Sequence, residues 1–389
     1  MQPGRYLAQS HKLVTALRLA DGASRLAAGL RRARQQPSPP RRILLANPAH
    51  LGDVLIATAV LPPLRRAFPD AEIGMLVGSW ARHVVEGHPD IAHIHVMDNF
   101  HLNRAPLPLR SRLARHARTW VQALGEIRSV GYDVAIDLYF HWPNCIPLLW
   151  AAGIPRRIGY DSGGFGPLLT DPFPWVGGTR HAAQAQGALL AALDIAGAEG
   201  VMPWMSLPPL PVGPLPGGLR PGRYVVIHPG TGSPAREWPP SHWRTLTRRL
   251  AADGHQIVFT GRGEREASRI AGIIQATPGA LNFCNALTWG QLRQVVAGAR
   301  LVVGVESMAG HLAAAEGTPF VGMYRGLAPL NWWRPLGDGE ILTVPAAAPS
   351  TGPAEAGDHD PMARIDPDSV FAACRACLGR ADAAVSPPT

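Results

Sequence analysis

The chain has 389 residues, 46% hydrophobic and 17% charged, with a formal net charge of +9. One core stops growing at roughly 250–300 residues, so this length predicts two domains, and the composition excludes a disordered chain. The basic residues are nearly all arginine (Lys12 is the only lysine), which favours anionic partners; no basic stripe interleaved with aromatics points to nucleic acid.

Residues 1–40 form a basic N-terminal extension. Leu13, Leu17, Leu26 and Leu30 alternate with Arg18, Arg25, Arg31, Arg32 and Arg34 over positions 11–34. That pattern suits either a helix lying on an anionic membrane surface or a helix packed on the domain. Arg18, Asp21 and Arg25 interrupt any apolar run, so no secretory signal is expected, and no stretch reaches the ~20 apolar residues of a spanning helix. Positions 35–40 are a proline-rich break.

Strand and helix patterns then alternate. Apolar runs at 43–46, 73–77, 94–97 and 134–138 predict buried strands, with helices at 54–68 and 111–130. Seven prolines between 203 and 221 mark the boundary, with the linker set at 206–221. The alternation resumes with strands at 224–227, 256–260, 301–305 and 320–323. Helices follow at 241–253, 264–275, 289–297 and 309–316. Residues 345–363 read as a loop, 366–378 as a closing helix and 381–389 as a tail. Such alternation predicts an α/β fold with a parallel sheet covered on both faces in each half, and ligands beyond the carboxyl ends of the strands.

Four strand-to-helix turns carry candidate chemistry. Asn47-Pro-Ala-His-Leu-Gly-Asp53 places Asp53 at a helix start, either as a plain N-cap or as a carboxylate able to take a proton. His228-Pro-Gly-Thr-Gly-Ser-Pro-Ala-Arg236 offers Thr231, Gly232 and Ser233 to a phosphate, with Arg236 able to pair with it bidentately. In Thr260-Gly-Arg-Gly-Glu264, the Glu264 carboxylate either accepts from ribose hydroxyls or is an ordinary first-turn acid. Glu306-Ser-Met-Ala-Gly310-His311 ends a strand and opens a helix whose amides suit an anion, Ser307 being also a natural cap. Four scattered cysteines, Cys145, Cys284, Cys374 and Cys377, give no disulfide framework, and the CxxC at 374–377 has no second Cys/His pair, so no metal site is expected. The absence of GxGxxG after either first strand argues against a dinucleotide enzyme.

The order and spacing of these pieces resemble glycosyltransferase family nine, the ADP-heptose–lipopolysaccharide heptosyltransferases. Further matching pieces are Gly131-Tyr-Asp-Val-Ala-Ile-Asp-Leu138, Pro155-Arg-Arg-Ile-Gly-Tyr160, Arg236-Glu-Trp238 and Trp333-Arg-Pro-Leu-Gly337. The resemblance covers about residues 41–380. It implies a GT-B fold, two facing Rossmann-like domains with an interdomain cleft. Residues 41–205 would face the acceptor, and 222–380 would hold the nucleotide-sugar. It also implies an inverting transfer, without metal or cofactor, from ADP-heptose to a lipopolysaccharide-core glycolipid. Asp53 would then be the catalytic base. Arg236 falls where the family usually has a lysine, Glu306 where it usually has an aspartate near the donor sugar, and Ser307, Gly310 and His311 in the diphosphate turn. The expected location is cytoplasmic, with peripheral contact on the anionic inner membrane. A transferase with another donor or a protein acceptor, and a non-catalytic sugar-nucleotide binder of the same fold, remain alternatives.

Overall fold

The structure is a computed structural model. It describes residues 5–8, 10–29, 39–175, 180–195, 205–326, 330–344 and 360–385. Outside them lie Leu30, Arg31, Arg32 and Arg34 of the extension, most of the 35–40 break, residues 345–359 of the expected loop and 386–389 of the tail. The chain divides into two compact units, residues 1–209 and 210–389.

The first unit contains α1 (His11–Ala28), β1 (Arg42–Asn47), α2 (Leu51–Ala57), α3 (Leu61–Ala67), β2 (Glu72–Val77) and α4 (Arg82–Val85). It continues with β3 (His93–Val96), α5 (Leu109–Val130), β4 (Val134–Asp137), α6 (Ile146–Ala152), β5 (Arg156–Tyr160), β6 (Asp171–Phe173) and α7 (Ala182–Ala188). Its six strands are all parallel, in the order β3-β2-β1-β4-β5-β6. The last five residues of β1 are all buried, the continuous apolar run of a strand covered on both faces. One core cluster joins Leu44, Ala46, Leu76 and Ala135 of the sheet to Ala123 and Ile127 of α5 and to Leu148 and Leu149 of α6. Gly131, at φ +70, ends α5 in the left-handed conformation that lets the chain turn into β4.

The expected single helix over 54–68 is two helices joined by a 3-10 turn at Thr58–Val60. Pro62 and Pro63 lack the N–H groups that a continuous helix requires, so they begin a new helix instead.

The second unit contains β7 (Tyr224–His228), α8 (Pro240–Ala252), β8 (Gln256–Phe259), α9 (Glu264–Ile274), β9 (Leu281–Asn282), α10 (Trp289–Ala297) and β10 (Leu301–Val305). After them come α11 (Met308–Ala315), β11 (Phe320–Tyr324), α12 (Leu330–Trp333), β12 (Gly339–Thr343) and α13 (Pro367–Val385). This sheet is also parallel, in the order β12-β11-β10-β7-β8-β9. Its main core packs Val225, Ile227, Val303 and Val321 against Trp243 of α8, Ile270 of α9, and Val370 and Cys374 of α13. Strands β5, β6, β9 and β12 escape the apolar-run criterion because they are short or carry polar side chains. All four cysteines are free thiols.

Counted from each unit's first strand, the two sheets have the same order, 3-2-1-4-5-6. The connections reverse direction between β1 and β4 in one unit and between β7 and β10 in the other. At such a switch point the two flanking loops run to opposite faces and leave a crevice at the carboxyl end.

Candidate functional site

In the first unit, Asp53 lies at the switch point, after β1. It is the third residue of α2 and not its N-cap, which is His50. Its Oδ2 accepts the His50 N–H at 3.0 Å, which closes the first turn of the helix. The loop is fixed from three sides. Asn47 Nδ2 donates to the Asp53 carbonyl at 3.1 Å, Asn47 Oδ1 accepts from the Ala49 N–H, and the Trp80 indole donates to the Ala49 carbonyl at 2.7 Å. Burial pushes the Asp53 carboxyl up to about 6, opposed by the His50 N–H and the positive charge of Arg104. Burial, aided by the charges of Arg104 and His101, holds the His50 imidazole down at about 4, so it is neutral.

Across the same crevice, Asp137 ends β4 and its carboxylate accepts from the N–H groups of Cys145 at 2.8 Å and Tyr139 at 3.2 Å. It holds the loop after β4 and starts α6. Tyr139 lies within the field of Asp53, and burial together with that charge keeps its phenol un-ionised. The Trp142 and His101 rings meet at 5.0 Å. Aromatic faces, an arginine and a half-enclosed carboxylate thus gather at one sheet end, and none but Asp53 stood out in the sequence.

In the second unit the loops after β7 and β10 are joined directly. Thr231 Oγ donates to the Glu306 carbonyl at 3.0 Å, and Arg236 Nη1 stands 3.3 Å from Glu306 Oε1. Burial raises the Glu306 carboxyl, and the Arg236 charge lowers it. The next two residues after Arg236 are anchors. Glu237 is gripped by both Arg265 and Arg269 of α9, and the fully buried Trp238 donates its indole N–H to the Ile365 carbonyl at 2.9 Å. Arg236 therefore projects from a segment held at its C-terminal side by core contacts.

Ser307 is the N-cap of α11, accepting from the Ala309 N–H at 3.4 Å, and the remaining amides of this first turn include those of Gly310 and His311. An eight-residue helix starting at a switch point presents these groups to an anion. Gly310 also has a packing reason. A Cβ there would lie 2.6 Å from Pro335 Cγ and 2.8 Å from Phe320 Cε1. Gly232 is exposed and Ser233 half-buried in the loop after β7.

Glu264 is exposed at the first turn of α9. Two residues on, Glu266 turns inward, since residues two apart on a helix point ~200° apart. Its carboxylate accepts the Arg262 N–H at 2.9 Å and fills the space above Gly230, where a Cβ would fall 2.1 Å from Glu266 Cδ. The glycine of His228-Pro-Gly230 thus makes room for a carboxylate at the carboxyl ends of β7 and β8. His228 Nδ1 and Thr260 Oγ1 meet beside it at 3.1 Å. Another residue invisible to motif reading is Tyr324, the last of β11. It is buried beside Glu306 and Arg236, and its hydroxyl has no hydrogen-bond partner among the described residues. Of the segment Arg325-Gly-Leu-Ala-Pro329 that follows β11, residues 327–329 lie outside the described set.

Residues 210–345, which include Thr231, Arg236, Glu266, Glu306, Ser307 and Tyr324, match the family model "Glycosyltransferase family 9 (heptosyltransferase)". The chain is 26% identical over 306 residues to lipopolysaccharide heptosyltransferase 1 of Pseudomonas aeruginosa, covering 73% of this chain and 78% of that one. It is 23% identical over 304 residues to lipopolysaccharide heptosyltransferase 3 of Escherichia coli, covering 75% and 85%. Among solved structures it superposes on a family 9 protein of Veillonella parvula with a TM-score of 0.68 at 18% identity, covering 87% and 97%. The E. coli ADP-heptose lipopolysaccharide heptosyltransferase II gives 0.66 at 20% identity, covering 88% and 99%. The two-sheet α/β architecture is the GT-B fold, and the activity is glycosyl transfer.

Proposed function

We propose that this glycosyltransferase moves a heptose from ADP-heptose to a glycan of the lipopolysaccharide-core type, inverting the anomeric carbon and using neither metal nor cofactor. The observation that carries the reading is the convergence at the β7/β10 switch point of Arg236, the Thr231 loop and the first turn of α11 around Glu306. A cation and the first turn of a helix on one spot, in a unit that matches the family 9 model, suit a nucleotide diphosphate.

In the proposed step the acceptor hydroxyl gives its proton to Asp53 as its oxygen bonds the anomeric carbon. The bond from that carbon to the diphosphate breaks on the opposite side, and ADP leaves with the electron pair. Arg236, the loop amides and the amides at Ser307, Gly310 and His311 take the growing charge in place of a metal ion. Glu306 faces the sugar, and the Tyr324 hydroxyl gains the partner it lacks. Of the acids near the start of α9, Glu266 is better placed than Glu264 to accept from the nucleoside's hydroxyls. The acceptor is a glycolipid, met at the cytoplasmic face of an anionic membrane by a peripherally bound enzyme.

A thermal-shift panel of ADP, UDP, GDP and their sugar conjugates, run with and without EDTA, tests the donor. Stabilisation selective for ADP and ADP-heptose, indifferent to EDTA and lost in Arg236→Ala, is expected. Selective stabilisation by UDP or GDP conjugates overturns the donor assignment, and loss of activity with EDTA overturns the metal-free mechanism.

A further inference from the structure

Six large apolar side chains of the first unit are exposed among the described residues: Leu19, Leu26, Leu107, Leu109, Leu113 and Val121. All six lie on α1, on α5 or just before α5. These two helices flank α6. Ala27 and Ala28 of α1 pack with Ile146 and Trp150, while Trp120, Ala123 and Ile127 of α5 pack with Leu148 and Leu149.

The inner faces of both helices are fully committed. Helix α1 buries Leu17, Asp21 and Ser24, and Asp21 accepts from the Tyr6 hydroxyl at 2.9 Å and the Phe165 N–H at 2.6 Å, with Arg5 at 3.3 Å. Arg5 also pairs with Asp161 at 2.9 Å, and the Leu7 N–H donates to the Ser162 carbonyl. The helix is therefore seated on the loop after β5 by polar contacts, and its leucines at 19 and 26 are left over. They are 72% and 79% exposed, one heptad apart, beside Lys12, Arg18 and Arg25. On α5, Leu109, Leu113, Ala117 and Val121 recur every fourth residue on the outer side, beside Arg110 and Arg118. Neither outer face carries a bare carboxylate. Asp21 is the one acid of α1 and is buried, and Glu126, the one acid of α5, meets His95 at 3.0 Å.

We propose that the outer surface of α1 and α5 is where the first unit lies on an anionic lipid bilayer, leucines and valine entering the headgroup boundary and arginines meeting lipid phosphates. Apolar side chains in a helical row, bordered by cations and free of acids, complement such a surface in both hydrophobicity and charge. A protein partner would be expected to offer acids to arginines and find acids offered in return, which these faces lack. The inference rests on, and deepens, the reading of the acceptor as a membrane glycolipid.

The test is co-sedimentation of the full chain with vesicles of phosphatidylglycerol and phosphatidylethanolamine, against neutral phosphatidylcholine vesicles. Binding to the anionic vesicles alone, weakening with salt, is expected. Leu19→Gln with Leu26→Gln, and separately Leu113→Gln with Val121→Gln, should each weaken it by about tenfold, since each removes two apolar anchors. The substituted side chains are exposed and not among the buried core residues, so unchanged melting temperatures identify folded variants. Turnover on a water-soluble, deacylated acceptor should be unaffected by either pair. No binding to anionic vesicles, equal binding to neutral ones, or binding unchanged in both variants overturns the surface. Binding as expected in a protein that transfers no sugar would overturn the glycolipid reading and leave the surface standing.

Discussion

At the scale of single residues, the chemistry of the proposed transfer depends on how each side chain is charged before substrate arrives. Asp53 is useful as a base only when ionised, and enclosure places its transition at about 6. Turnover should therefore climb about tenfold per pH unit below that value and level off above it, since the protonated acid cannot accept a proton. Asp53→Asn should cost ~10²–10⁴-fold in turnover and abolish the acid limb, with nucleotide binding retained. A profile that keeps its limb in the variant assigns that limb to another group. Tyr324 supports an experiment of opposite sign. A buried hydroxyl without a partner costs free energy, on the order of 1–3 kcal/mol, so Tyr324→Phe should leave the unliganded protein as stable as before or more so. The same variant should show a smaller melting shift with ADP-heptose. A purely structural tyrosine would leave that shift unchanged.

At the scale of elements, packing decides where the site groups point. Gly310→Ala brings a gain of about 1 kcal/mol in helix propensity against an overpacking cost of about 1–3 kcal/mol where the new methyl meets Pro335 and Phe320. Stability should fall by about 0–2 kcal/mol, the difference of the two, while α11 shifts away from β11 and carries its first-turn amides with it. The expected readout is weaker nucleotide binding by calorimetry, and unaltered affinity would show that α11 does not hold the anion. The same distinction explains what was legible in the sequence. Strands β1, β2, β7, β10 and β11 announce themselves as apolar runs because both their faces are covered. The turn motifs after β1, β7 and β10 could be read because glycine, threonine and serine are required there by geometry. Glu266, Tyr139 and Tyr324 could not, since which side of a helix or strand end faces inward depends on partners distant in the chain. Glu266 is the plainest case, being separated from the more conspicuous Glu264 by half a helical turn. Strand β12 carries the polar Glu340 and Thr343 and takes its register from β11, a pairing that no local pattern encodes.

At the scale of the whole molecule, two sheets of identical strand order each carry a core of their own. Differential scanning calorimetry should resolve two transitions, of which ADP raises the one belonging to residues 210–389. A single transition that moves as one would show the units melting cooperatively. The pairing of Arg236 with Glu306 has a consequence for the protein's proton balance. In the unliganded state burial raises the Glu306 carboxyl, and the Arg236 guanidinium 3.3 Å away is the charge that opposes the rise. A diphosphate that draws Arg236 to itself adds negative charge nearby and removes that counter-ion, so the affinity of Glu306 for a proton rises. Donor binding near neutral pH should then take up a fraction of a proton from the medium, and its apparent enthalpy should vary with the ionisation enthalpy of the buffer. Glu306→Gln should flatten that dependence. The enzyme would in this way hold its donor more tightly as the solution becomes more acidic, while Asp53 takes the acceptor's proton more readily as it becomes more alkaline, and the two opposing trends would set a pH optimum that neither unit possesses alone.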